Sequence, residues 1–193
     1  MPPFFSGSIL PSTRPHPTPQ NDGMTDSESR WTLFDFADPT EADAWAPIDD
    51  RVMGGISTSC LRHDPAGHAV FEGEVSLERN GGFASVRSAP AARGRAGAQT
   101  CVLEVQGEAK RFKLNFLTGD SFDGLNYQAA FTPHPDRWQN LRILLADFRS
   151  SFRGREVSGA PPLDPARICQ VGLMIAERQA GPFALAIRRI SLA

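Results

Sequence analysis

Short runs of alternating apolar and polar residues, each closed off by Gly, Pro, Asn or Asp, dominate the chain from Trp31 onward and leave little room for helices. A period of two puts successive side chains on opposite faces of an extended strand, so such runs describe strands with one buried face. Residues 31–36 open the series. In residues 69–77, Phe71, Gly73, Val75 and Leu77 fall on one side and Val70, Glu72, Glu74 and Ser76 on the other. Residues 100–105, 112–116, 127–131, 138–145, 169–175 and 183–192 continue the pattern. About eight to ten short strands with turn signals between them predict an all-β sandwich of one domain rather than βαβ units. One short helix is expected near the start. Asp38 supplies a capping oxygen, Pro39 takes the first helical position, and Glu41 can reach back, which would carry the helix to Trp45.

At 193 residues the chain suits a single well-buried domain. Residues 1–28, rich in Pro, Ser, Thr and Gly, bury little and are expected to form a disordered tail before a domain spanning 29–193. Met24 opens a stretch that reads as an ordinary bacterial N-terminus, an alternative start for the protein. No run approaches the ~20 apolar residues of a membrane helix. The first residues carry neither a basic nor a long apolar signal region, and six prolines before residue 20 oppose an amphipathic presequence. The expected location is a bacterial cytoplasm, peripheral to the inner membrane only through a partner. A net charge of −2 gives no general attraction to nucleic acid. Arg142, Arg149, Arg153 and Arg155 read as solvated surface rather than a phosphate track. Cys60, Cys101 and Cys169 are odd in number and widely spaced, which predicts reduced thiols.

Catalytic constellations are missing from the sequence. It has no nucleophile elbow, phosphate-binding loop, dinucleotide fingerprint or zinc-protease helix motif. His63 and His68 flank a polar turn, and neither they nor His16 and His134 have metal-ligand spacing. Asp120 and Asp123 share a loop without the spacing of a calcium-binding hand. No catalytic residue, metal or cofactor is therefore expected.

Two glycine-centred segments stand out: Asp49-Asp50-Arg51-Val52-Met53-Gly54-Gly55-Ile56-Ser57 and Glu78-Arg79-Asn80-Gly81-Gly82-Phe83-Ala84-Ser85-Val86-Arg87. Turn chemistry alone explains both as tight turns entering strands, and a Gly-Gly pair also admits close approach by a backbone or ligand. These segments resemble the hallmark blocks of the CIA30 family, named for the intermediate-associated protein of mitochondrial complex I. The resemblance continues through Phe112-Lys113-Leu114, Tyr127-Gln128-Ala129-Ala130-Phe131, Trp138, Phe148-Arg149, Phe152-Arg153-Gly154, Leu163-Asp164-Pro165, Gly172-Leu173-Met174 and Gln179-Ala180-Gly181-Pro182-Phe183. It implies a jelly-roll β-sandwich like galactose-binding domains, and a non-catalytic module whose partner is a protein, such as complex I subunits or assembly intermediates. A carbohydrate- or small-ligand-binding module is the alternative implied by the fold.

Polar residues inside otherwise apolar strands mark where such a module would bind. Arg51, Asn80, Arg87, Asn115 and Tyr127 are expected to converge on one groove, with Arg51 and Asn80 at its rim. The bland alternative pairs Arg87 with Glu74 or Glu78 and leaves Tyr127 half-buried. Trp31, Trp45 and Trp138 are expected in the core.

Overall fold

The computed structural model describes residues 30–119, 124–152 and 154–193, with the backbone alone for Val52 and Met53. The N-terminal tail, the Asp120–Asp123 pair and Arg153 lie outside the described residues. Among the described residues, thirteen strands form two antiparallel sheets packed face to face, the jelly-roll β-sandwich.

The six-stranded sheet runs β3 (Thr58–Asp64), β4 (His68–Val75), β13 (Gly181–Leu192), β6 (Thr100–Gly107) and β9 (Gln139–Leu144), with β1 (Trp31–Asp35) also paired to β13. The seven-stranded sheet runs β11 (Arg155–Glu156), β10 (Arg149–Phe152), β8 (Asn126–Phe131), β7 (Phe112–Leu117), β12 (Gln170–Ile175), β5 (Ala84–Ser88) and β2 (Trp45–Pro47). At twelve residues β13 is the longest strand, and it pairs with β4 through its first part, β1 through its last, and β6 on the other side.

The predicted alternation decides which faces meet. Phe112, Leu114 and Phe116 of β7 stand beside Ile175, Leu173 and Val171 of β12 and Phe131, Ala129 and Tyr127 of β8, all turned inward. Phe71 and Phe183 come down from the opposite sheet. Phe112 meets Phe71, Phe131 and Phe183 with ring centroids 6.0–6.3 Å apart, which makes it the junction between the two layers. A second aromatic group, Phe34, Phe36 and Trp45, closes one end, and the Arg93 guanidinium lies 3.9 Å from the Phe34 ring centroid.

The helix is shorter than the sequence predicts. It covers only Thr40–Asp43, because Trp45 is drawn into β2 and the core. Asp38 does accept from the Thr40 amide and hydroxyl, but Pro39 rather than Asp38 is the N-cap and carries no side-chain cap, so the helix starts one residue later than expected. Glu41 turns toward Arg93 at 3.9 Å instead of reaching back. The tryptophans divide. Trp45 is buried; Trp31 is 44% exposed and donates its indole N–H to the Arg93 carbonyl; Trp138 is half-buried against His68 and under Arg188. Trp31 stays outside at the entry of β1, where the Arg95 guanidinium lies 5.2 Å from its ring centroid.

Cys60, Cys101 and Cys169 are all free thiols. Burial pushes the Cys101 thiol far up, so it should stay silent to a thiol reagent until the sandwich unfolds. Rapid labelling of Cys101 under native conditions, read by peptide mass, would contradict this packing. The surface network of Arg62 with Glu72 and Asp64 is exposed, so Arg62→Ala is expected to cost under about 1 kcal/mol in urea unfolding.

Candidate binding site

The two glycine-centred segments meet, and what joins them is a pair of buried carboxylates. Asp50 opens a 3-10 turn, Asp50–Met53, and is fully buried. It accepts from the Ser57 amide (3.0 Å) and hydroxyl (2.5 Å) of its own segment, and from the Gly82 (2.8 Å) and Phe83 (3.4 Å) amides of the other. Asp49 accepts from the Ser59 amide and hydroxyl and from the Ser85 amide, tying β3 to β5 across the sheets. The glycines are required by this packing. A β-carbon on Gly55 would lie 2.3 Å from an Asp50 carboxylate oxygen, and one on Gly81 would lie 2.7 Å from the other. These blocks are thus a structural clasp, and Arg51 and Asn80 occupy exposed turns at its outer edge.

Burial pushes the Asp50 carboxyl upward, but hydrogen bonds from the Ser57 hydroxyl and the Gly82, Ser57 and Phe83 amides outweigh it and hold the group below its ordinary range. A carboxyl depressed in the folded state stabilises fully above its unfolded pKa, near ~3.9, and that contribution disappears as pH falls through the folded value. Acid unfolding below about pH 4 should therefore be steeper in the wild type than in Asp50→Asn, followed by tryptophan fluorescence. Parallel acid limbs would show that Asp50 is not the titrating clasp.

Outward from the core, the seven-stranded sheet presents a different surface. Arg87 (β5), Gly172 (β12), Asn115 (β7), Gln128 (β8) and Arg149 (β10) are register partners in one row across five adjacent strands. At ~4.8 Å between strands the row spans ~19 Å. A neighbouring row holds Gln170, Leu117, Asn126 and Ser151. Leu117 is almost fully buried yet faces away from the core cluster. Four oxygens in this region, Asn115 Oδ1, Asn126 Oδ1, Gln170 Oε1 and Ser151 Oγ, are buried without a hydrogen-bond partner among the described residues. Leaving an acceptor so costs about 1–3 kcal/mol each, which singles out the region.

Of the five residues expected to share a groove, the structure brings two together. Arg87 and Asn115 flank Gly172 on the outward face. Tyr127 lies on the opposite side of its strand, in the core, because its register partner Phe116 is an inward residue. Its hydroxyl donates to the Pro161 carbonyl at 3.1 Å. There it borders a cleft of about 710 Å³ at the sheet edge, between Leu144–Ser150 and the 156–165 loop. Losing that bond in Tyr127→Phe is expected to cost about 1 kcal/mol, measured by urea unfolding. The clasp places Arg51 and Asn80 in turns rather than on the strands. The arginines of residues 142–155 are also divided, with Arg142 on the six-stranded sheet and Arg149 and Arg155 on the other.

Asn126, Gln170 and Ser151 escaped notice in the sequence. Each is one polar residue among many, and only the register reveals that they share a face. The signal that was available is the polar member of each apolar alternation, Asn115 in β7 and Gln128 in β8. Among the described residues, no three His, Cys, Asp or Glu side chains gather as a metal site would need. No helix among them is long and apolar enough to cross a membrane.

The sandwich, the clasp and the polar outward face define a β-sandwich module of a known kind. The family described as Complex I intermediate-associated protein 30 (CIA30) matches residues 34–187, and the chain belongs to it. An uncharacterized protein of Schizosaccharomyces pombe is 29% identical over 166 residues, covering 74% of each chain. In fold, the chain is similar to the family 11 carbohydrate-binding module of Clostridium thermocellum solved with a β-1,3-1,4-mixed-linked tetrasaccharide. That similarity has a TM-score of 0.57 at 14% identity, over 77% of this chain and 88% of the module. It is similar also to part of an agarase, with a TM-score of 0.55 at 12% identity, over 85% of this chain and 24% of the agarase.

Proposed function

We propose that this chain is a non-catalytic binding module serving the assembly of a multiprotein complex, with respiratory complex I as the foremost candidate. The observation that carries this reading is the family match across nearly the whole sandwich, in a family named for association with a complex I intermediate. The buried clasp adds support: it gives the glycine blocks a structural role and leaves the outward sheet face to meet a partner. In this reading Arg87 and Asn115, the two of the expected set that flank Gly172, take part in binding, and the module reaches the inner membrane only through that partner. Deleting the gene and resolving membrane complexes on native gels is expected to show less mature complex I and accumulated intermediates. A normal complex I profile would overturn the assembly role.

The alternative is a carbohydrate- or small-ligand-binding module. Carboxamides and guanidinium groups in one row favour it, since both hydrogen-bond well to hydroxyls. Against it, the outward positions of β5, β12, β7, β8 and β10 include no aromatic ring on which a sugar could stack.

A further inference from the structure

We propose that the outward face of the seven-stranded sheet holds an extended acidic polypeptide segment laid across the strands over Gly172; this rests on the reading of the chain as a module for a protein partner. Three features of the face point to that occupant. The first is charge. The outward positions of its five central strands carry Arg87, Lys113 and Arg149 and no Asp or Glu, and the one carboxylate on that face of the edge strand β11 is the exposed Glu156 beside Ser151. Lys113 is already paired with Glu177 at 3.3 Å, whereas Arg149 is exposed and makes no ion pair among the described residues. Carboxylate side chains complement such a surface.

The second feature is the set of buried acceptors. Asn115, Gln170 and Ser151 are each more than nine-tenths buried, and each carries an oxygen with no donor among the described residues. The Gln170 Nε2 is fixed on the Ser88 carbonyl at 3.0 Å, which leaves its Oε1 as the unanswered atom. A ligand for these atoms must bring N–H or O–H groups, and a polypeptide brings an amide N–H at nearly every residue. The third feature is the floor. Between Arg87 and Asn115 stands only Gly172, where a β-carbon would lie 3.3 Å from the Val86 carbonyl and 3.4 Å from the Asn115 β-carbon. Without a side chain there, a backbone can approach the sheet closely. At ~3.4 Å per residue, about six extended residues span the row from Arg87 to Arg149.

The test uses the full chain labelled with 15N and three probes: acetylated and amidated decapeptides of alternating Asp-Thr and alternating Lys-Thr, and a mixed-linkage β-glucan tetrasaccharide. The acidic peptide is expected to shift the side-chain amide signals of Asn115, Gln128 and Gln170 while the basic peptide leaves them in place. Arg149→Glu, an exposed substitution, should weaken that binding at least tenfold and leave the rest of the spectrum native; Gln128→Glu should act the same way. Shifts from the tetrasaccharide and none from the acidic peptide would overturn the proposal in favour of a glycan. No shift from any probe, or acidic-peptide shifts indifferent to Arg149→Glu, would also overturn it. In cells the two readings separate. Acidic-peptide binding alongside normal complex I in the deletion strain would sink the assembly role and keep the site. An assembly defect fully rescued by Arg149→Glu would sink the site and keep the role.

Discussion

Replacing Asp50 with alanine is expected to destabilise the sandwich by about 3 kcal/mol or more, seen as a lower urea midpoint at unchanged slope. Three backbone amides and the Ser57 hydroxyl now converge on its carboxylate. Buried amides that lose their acceptor keep the cost of leaving water and gain nothing for it. The pocket is also shaped around that carboxylate, since Gly55 and Gly81 press against it from two sides. Asp49→Ala should cost less, because Asp49 is 8% exposed and water can replace part of what it provides. A loss under about 1 kcal/mol for Asp50→Ala would remove the clasp as the reason for the two glycine blocks. They would then have to be explained by a ligand.

The second large effect is expected at Phe112. Its ring touches one aromatic ring from its own sheet and two from the opposite one, and it is fully buried. Phe112→Ala should cost about 3–5 kcal/mol, combining lost transfer energy with a cavity where the two layers meet. Both sheets rest on this ring, so the void cannot be closed by moving one strand. Phe112→Leu should recover much of the loss, as a substitution closer in volume. Thermal unfolding of the two variants checks this; equal losses for alanine and leucine would mean that ring contacts, rather than filled volume, hold the layers together.

Much of the architecture was legible because burial writes itself into alternation. The strands with strong apolar faces, β4, β6, β7, β8, β12 and β13, appear in the sequence within a few residues of their ends. Two of the strands that were not read carry buried residues but are short and follow other signals, β2 after a helix start and β5 after a glycine turn. The others have little to bury. β3, Thr58–Asp64, is an edge strand with side chains mostly exposed or half-exposed, and β10, Arg149–Phe152, and the two-residue β11 show no apolar rhythm. The candidate site was legible only in part, for a related reason. Alternation shows that Asn115 faces away from Phe112, but it cannot show which residues of distant strands stand beside it. That Gln128, Gly172 and Arg87 line up with Asn115 depends on register, which is set by turns and core packing far from the row itself. The clasp was hidden differently: the glycines were visible, while the carboxylate that forbids a side chain beside them looked like any acidic residue in a turn.

The placement of β13 has a consequence for how the protein is made. This strand, last in chain order, lies between β4 and β6 and also carries β1, so every one of those pairings waits for a segment synthesised after all the others. While the ribosome is still extending the chain, the six-stranded sheet has an open gap at its centre, and β4 and β6 offer unpaired edges to whatever is near. Chain order thus leaves those edges bare until β13 itself has been made, so the sheet closes from its centre and last of all.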